Sequence, residues 1–294
     1  MSGARIIAFG DIVDDIVVVP HGAIRADTDT TSTIRPRPGG SAANTAAWLG
    51  ALGAPVDFVG SAGAADVERH AALLRAHGVE PHLTPHPELP TSTIVIVVDG
   101  EHRTMLTERG ANAALAQEQV TDKLLAAAGV LHVTGYTLFD GPRAAGVQRL
   151  IARAHAAGVT VALNPGSAGY IADFGVDAFL AGIAGVDILL ANAAEGALLT
   201  GAEQPGDIAQ LLAESHGLAV LTRGAAPVVV AARGGIPVEV RVPAVQVVDP
   251  TGAGDAMAAG FLHGWLRGGD PVRAAEDGIR LAAQAVTRVG GRPA

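Results

Sequence analysis

Strand-like and helix-like runs alternate along most of this chain, and that order leaves few architectures open. Apolar runs of strand length fall at 5–9, 56–59, 130–133, 159–163, 187–190 and 218–222. Helical runs lie between them, at 41–52, 66–77, 117–127, 142–157, 175–184 and 193–200. Gly78, Gly129, Gly158 and Gly217 stand where a helix is expected to stop, because glycine readily adopts the left-handed conformation that closes a last turn. Repeated strand–helix–strand order imposes parallel pairing through right-handed crossovers. Arg5-Ile6-Ile7-Ala8-Phe9 is apolar over almost its whole length, as suits a strand covered on both faces. The expected fold class is α/β, with three layers, helix/sheet/helix, around a mostly parallel central sheet. Residues 228–231 and 238–242, flanking Gly234-Gly235, read as an antiparallel edge hairpin, and 271–288 as a closing helix. In such folds ligands bind beyond the carboxyl ends of the strands.

Two segments interrupt the alternation. Residues 12–37 begin extended and pass into a stretch of Thr, Asp, Arg and Pro. Residues 93–107 follow a Pro-rich stretch and hold two strand-like runs around Asp99-Gly100, a hairpin signal. The two segments are expected to pair into a small antiparallel sheet. It would project as a lid from a large domain made of 1–11, 38–92 and 108–294. Ile94, Ile96 and Val98 would share one face, with Val95 and Val97 on the other. A projecting sheet with two apolar faces needs cover on both. A ligand cleft on one side and a second copy of the chain on the other would supply it, giving a homodimer through the lid.

Several function classes are excluded by what the chain lacks. It has no cysteine, which removes disulfides, thiol nucleophiles and sulfur-ligated zinc. Net charge is −9 without any basic run, so no nucleic-acid partner is expected. No apolar run reaches the length of a membrane span, and the first strand starts at Arg5, leaving no room for a secretory signal. A cytoplasmic protein with no membrane partner is the expectation. Lys123 is the single lysine and follows Thr121-Asp122, so a Walker phosphate loop is ruled out. Gly252-Ala253-Gly254 continues to Met257 where a dinucleotide fingerprint needs its third glycine. Gly39-Gly40-Ser41-Ala42-Ala43 ends in Ala where a serine-hydrolase elbow needs Gly. Pro85, between His82 and His86, rules out a helical metal pair.

Three short stretches carry chemistry. In Val247-Val248-Asp249-Pro250-Thr251-Gly252-Ala253-Gly254-Asp255, the two valines read as the end of a buried strand and 256–266 as a helix. The glycines between bring unblocked N–H groups to a helix N-terminus, which favours an anion. Asp255 in the same turn suits a base beside a group in transfer, although an isolated Gly-Ala-Gly-Asp is more often only a capped turn. Gly39-Gly40, opening a helix with Asn44 one turn in, would let another molecule approach the backbone. Asn192 and Glu195 have capping-box spacing at another strand's carboxyl end, where the same pair could hold a hydrated cation.

Together these stretches resemble the ribokinase-like (PfkB-type) carbohydrate kinase family over essentially the whole chain. Residues 39–63 carry its N-terminal pattern, with Gly39-Gly40, Asn44, Gly53 and Gly63 at the family spacing. Residues 249–262 carry the C-terminal pattern, and Asn192 with Glu195 the Asn-x-x-Glu motif between. The resemblance implies an ATP-dependent sugar kinase. By position Asp255 matches the catalytic base, and the N–H groups of Gly252, Ala253 and Gly254 match the anion hole. Asp15, Gly39, Gly40 and Asn44 match sugar contacts, and Thr222 and Gly224 the segment against the nucleotide. Asn192 and Glu195 match the pair that organises Mg²⁺ through water, and the loop at Pro250 neighbours the family's K⁺ site. The implied acceptor is a ribose-like pentose, then another furanose or a ketodeoxy sugar acid, then a nucleoside. A non-catalytic sugar-binding regulator is the competing class. Ser41 replaces the Lys of ribokinases, Pro250 a frequent Thr, Pro227 a common Gly, and Ile279 a polar residue near the adenine. Arg103 reads as a solvated arginine on the lid edge.

Overall fold

The computed structural model describes residues 4–99, 102–139 and 141–294. In chain order the strands are β1 (Arg5–Phe9), β2 (Val13–Pro20), β3 (Ser32–Gly39), β4 (Val56–Gly63), β5 (Val79–His86), β6 (Ser92–Asp99), β7 (His102–Glu108), β8 (Ala128–Thr134), β9 (Thr160–Asn164), β10 (Ile188–Asn192), β11 (Leu218–Arg223), β12 (Ala226–Ala232) and β13 (Val238–Val240). The helices are α1 (Ser41–Ala51), α2 (Val67–Arg75), α3 (Asp122–Leu125), α4 (Gly141–Ala156), α5 (Ala168–Phe174), α6 (Val176–Gly182), α7 (Ala193–Thr200), α8 (Pro205–His216), α9 (Ala253–Gly268) and α10 (Pro271–Ala285).

The main sheet has nine strands in the order β13-β12-β11-β10-β9-β8-β1-β4-β5. It is parallel from β11 to β5, and β12 and β13 join antiparallel, as the edge hairpin predicts. Alternation along β1 shows why that strand is apolar throughout. Ile6 and Ala8 enter the core formed with α1, α9 and α10, whereas Ile7 and Phe9 enter the core on the opposite face. No helix among the described residues is long and apolar enough to cross a membrane.

Helices α9 and α10 pack glycine against backbone. A Cβ on Gly260 would meet the Asp277 carbonyl O and Gly278 Cα at 2.7 Å, and one on Gly278 would meet the Met257 carbonyl O at 2.6 Å. Gly260→Val is therefore expected to lower the unfolding free energy by roughly 1–3 kcal/mol, seen as a lower urea midpoint at unchanged slope. An unmoved midpoint would show that the two helices can separate freely.

The second sheet has the order β3-β2-β6-β7. Its two outer pairings are antiparallel, as expected, but β2 and β6 run parallel, with Asp15 opposite Ile94. The chain leaves through α1, β4, α2 and β5 before returning, which is the long crossover that a parallel pair needs. The hairpin turn at Gly100 lies outside the described residues.

Other expectations are corrected. Residues 117–127 do not form one helix: Gln117–Gln119 is a 3₁₀ turn, and the Thr121 side chain accepts the Leu124 N–H and starts the short α3 afresh. Gly129 lies inside β8 rather than ending a helix. Val247 and Val248 are not a buried strand, because both are more than half exposed. β13 ends at Val240, and the N–H groups of Val248 and Asp249 bond to the Val286 carbonyl instead of a ladder. Three elements escape the sequence pattern: β5, α5 and α8. Pro81 and Pro85 hide β5, yet it is an edge strand, where prolines are tolerated. α8 does carry a signal, Pro205 at its start with buried Ile208, Ala209, Leu212 and Ala213 at helical spacing.

Candidate active site

The N-cap of α9 is Gly252, with φ +77°. A Cβ there would sit 2.5 Å from Gly291 Cα, so both conformation and space demand glycine. Asp255 follows in the first turn of α9. Its Oδ1 accepts from Ser41 Oγ at 2.6 Å and its Oδ2 from Asn44 Nδ2 at 2.9 Å. Both donors stand on the first turn of α1. Gly40 opens that helix at φ +93°, and a Cβ on it would lie 2.5 Å from the Asp11 carbonyl O. Asp11, just beyond β1, fixes the helix start from outside. Its carboxylate accepts the N–H of Ser41 at 2.7 Å, that of Ala42 at 3.3 Å and the Thr134 hydroxyl at 2.9 Å.

Successive residues of β2 point opposite ways. Asp14 is gripped by both Nη atoms of Arg69 on α2, at 2.9 and 2.6 Å, whereas Asp15 faces the cleft. Behind them lies Arg292, whose Nε donates to Asn44 Oδ1 at 3.1 Å and whose Nη2 donates to the Gly39 carbonyl at 2.8 Å. Burial lowers the Arg292 pKa to about 10, although the carboxylates around it, Asp15 first, act in the opposite sense. Burial, and then the charge of Asp11, push Asp15 up to about 7. Burial also pushes Asp255 up to about 7, against the hydrogen bonds from Ser41 and Asn44. In both aspartates the folded-state value exceeds the unfolded one. Their contribution to stability is therefore greatest below about pH 4 and is lost as pH rises through about 7.

Asp255 lines two adjoining spaces, and a third shares Thr222 and Gly254 with the smaller of them. One of about 390 Å³ lies between the two sheets and is bordered by Asp15, Gly40, Asn44, Ile96, Gly252 and Asp255. A smaller one of about 120 Å³ brings Gly254 and Asp255 together with Asn192, Glu195 and Thr222. A third of about 480 Å³ lies beside Thr222, Gly224, Ala253 and Gly254. Every candidate catalytic or binding residue thus borders one of these spaces except Gly39. That residue stands behind Asp15, where a Cβ would come within 2.2 Å of the Asp15 Oδ2.

Asn192 and Glu195 form the full capping box of α7, each side chain accepting the other's backbone N–H at 2.9 Å. Glu195 is buried, and burial raises its pKa. No group of three or more acidic or histidine side chains that could cage a metal occurs among the described residues. Magnesium keeps most of its waters and needs few protein ligands besides substrate phosphates. Glu195, with one oxygen spent on Asn192 and its side chain on the cleft wall, fits such a water-mediated hold.

Arg103 is exposed, as expected, but it is also paired. From β7 it donates to Thr251 Oγ1 at 2.7 Å and to Asp249 Oδ1 at 2.9 Å, tying the small sheet to the loop before α9. Asp249 also accepts the N–H of Thr251 at 2.9 Å and of Gly290 at 3.0 Å. Burial pulls its pKa upward, but these bonds and the Arg103 charge outweigh burial and leave it lowered.

Further residues at the site were not candidates from the sequence. Ser41 and Arg292 reach the Asp255 network only through the fold. Arg109 borders the space of about 390 Å³ and donates to the Tyr136 carbonyl at 2.8 Å. Tyr136, Phe139 and Tyr170 form an aromatic wall there, with Phe139 and Tyr170 stacked at 5.2 Å. The two tyrosines of the chain are both in that wall.

Known proteins share this fold. The description "pfkB family carbohydrate kinase" matches residues 4–294. An ATP-dependent ribose-1-phosphate kinase of Halopiger xanaduensis is 29% identical over 307 aligned residues, covering 99% of this chain and 94% of that protein. The crystal structure of an adenosine kinase from Sinorhizobium meliloti superposes with a TM-score of 0.87 at 29% identity, over 100% of this chain and 96% of that one. A putative ribokinase II from E. coli, solved with ATP and Mg²⁺, shares the fold with a TM-score of 0.85 at 21% identity, covering 98% of this chain and 94% of that one. With the family pattern spanning nearly every residue and the same two-sheet fold in its relatives, the chain belongs to the pfkB family of carbohydrate kinases and is an ATP-dependent carbohydrate kinase.

Proposed function

We propose that this kinase phosphorylates a hydroxyl of a small furanose sugar, with Asp255 as the base. The observation that carries the reading is the Asp255 carboxylate. It is held by Ser41 and Asn44 in the turn that opens α9, on the wall shared by the spaces of about 390 Å³ and 120 Å³. The sugar would seat against Asp15, Gly40 and Asn44, with the small sheet as its lid. Its attacking hydroxyl would give a proton to Asp255 as the oxygen commits to phosphorus. The N–H groups of Gly252, Ala253 and Gly254 would stabilise charge on the phosphoryl group in transfer. Thr222 and Gly224 would border the nucleotide. Magnesium, held through water near Glu195 and Asn192, would neutralise phosphate charge.

Because the base must be ionised, kcat/KM is expected to fall as pH drops through about 7 and to level off above it. The neighbouring Asp15 titrates in the same range, so the apparent value belongs to the group of carboxylates. An acid limb centred near pH 4 would show instead that the base titrates as an ordinary carboxylate in the working enzyme.

The aromatic wall favours a second reading, in which the furanose bears a planar base at its anomeric carbon. Tyr136, Phe139 and Tyr170 give the space of about 390 Å³ an aromatic side against which a planar base would pack. ADP release measured across ribose, ribose 1-phosphate, nucleosides, ketodeoxy acids and hexoses decides between the two. A hexose or acid as the best acceptor would set both aside. On its outer face the small sheet exposes Ile34 and Leu106, 61% and 59% accessible, which supports a homodimer formed through the lid. A light-scattering mass of one chain would remove that partner.

A further inference from the structure

The space of about 480 Å³ beside Thr222 and Gly224 has a lining almost without polar side chains. Around it stand Val228, Val242, Val245, Met257, Ile279 and Val286, with further alanines, glycines and prolines. Thr222 alone among the lining side chains carries an oxygen or nitrogen, and its hydroxyl already faces the Ala191 carbonyl at 3.4 Å. Arg223 sits between Thr222 and Gly224 but turns away, donating to the Pro227 carbonyl at 2.7 Å and to Glu239 at 2.8 Å. Ile279, on α10, adds a buried branched side chain to that lining. The remaining polar groups are backbone, along 242–247, a stretch outside any strand that presents both N–H and C=O groups.

We propose that this kinase takes purine and pyrimidine nucleoside triphosphates alike as phosphate donors, because its base site offers apolar contact and no side chain that reads a base edge. The inference rests on reading the Thr222–Gly224 side as the donor site. Discrimination follows from what is lost when the wrong ligand binds. A site built on hydrogen bonds rejects a mismatched analogue by roughly 10⁴–10⁵, since its own buried polar groups go unpaired, whereas an apolar pocket discriminates by only about 10–200-fold. Adenine and guanine present opposite donor–acceptor patterns on one edge but nearly equal ring faces. With nothing polar on the side chains to be left unpaired, exchanging the two costs this pocket little. A pyrimidine buries a smaller face and loses some contact.

The test is kcat/KM for ATP, GTP, ITP, CTP and UTP at a saturating level of the best acceptor, together with calorimetric Kd values for ADP, GDP and CDP. GTP and ITP are expected within about tenfold of ATP, and CTP and UTP within about 200-fold. ATP preferred over GTP by 10³ or more, in turnover and in the diphosphate Kd ratio, would overturn the proposal. Ile279→Trp, which fills the pocket, is expected to weaken ADP and GDP to a similar degree, by tenfold or more. Unchanged binding in that variant would place the base elsewhere and also overturn it. Should no acceptor be phosphorylated, the Kd ratio still decides the donor question, and the furanose reading alone fails.

Discussion

Asp255→Asn is expected to lower kcat by roughly 10²–10⁴-fold while leaving ADP and ATP affinity close to that of the unaltered protein. The substitution fits the site for a specific reason. Asn44 Oδ1 is engaged by Arg292 Nε, so Asn44 keeps its Nδ2 toward residue 255. The new amide can place its oxygen there and its nitrogen toward Ser41, whose hydroxyl is free to accept instead of donate. Shape and hydrogen bonds survive, and the basic oxygen does not. Stability supplies an independent check. An ionised carboxylate with its pKa raised to about 7 is destabilising above that pH, so the variant should be at least as stable as the parent at pH 8. Lost turnover with an intact or raised melting temperature would fix the defect in chemistry. Retained turnover would exclude Asp255 as the base, and lost turnover with a collapsed fold would mark it as structural.

Gly252→Ala should be the next most damaging change, and it should act on both activity and stability. The residue sits at φ +77°, where a side chain costs about 1–2 kcal/mol. Its Cβ would also fall 2.5 Å from Gly291 Cα and 2.6 Å from the Gly291 carbonyl O, both backbone atoms that cannot swing aside. The loop must lift away from Gly291, and the N–H groups of 252–254 would then miss the phosphoryl oxygens. Losing one such donor costs roughly 10²–10³ in kcat. Gly254→Ala is the control, since a Cβ there meets nothing within 4 Å and its φ is ordinary. It should melt with the parent. Equal melting temperatures for the parent and Gly252→Ala would mean that the seat on Gly291 is not required.

Local pattern carried much of the architecture. Alternating apolar runs predicted the parallel sheet because a strand buried on both faces must be apolar throughout, and Ile6 to Phe9 feed two separate cores. The pair Asn192 and Glu195 was readable because a capping box lies within a single turn. The same local logic failed where a neighbour elsewhere in the chain decided the outcome. Pro81 and Pro85 read as a loop until edge position makes them harmless in β5. Val247 and Val248 read as a strand, but no neighbouring strand pairs with them.

By itself the sequence determined the three-layer sheet, the glycine turn with its aspartate, and the capped pair that faces it. Each is encoded by residues within a few positions of one another, where backbone geometry follows from residue type. Only the tertiary structure decided what Asp255 touches. Ser41 Oγ reaches it across 214 residues and Asn44 Nδ2 across 211, Arg292 braces Asn44 from 248 residues away, and Arg103 pairs with Asp249 across 146. Periodicity specifies which face of an element is buried, but not which distant side chain will meet it there. The partners of a buried charge are set by how the elements pack.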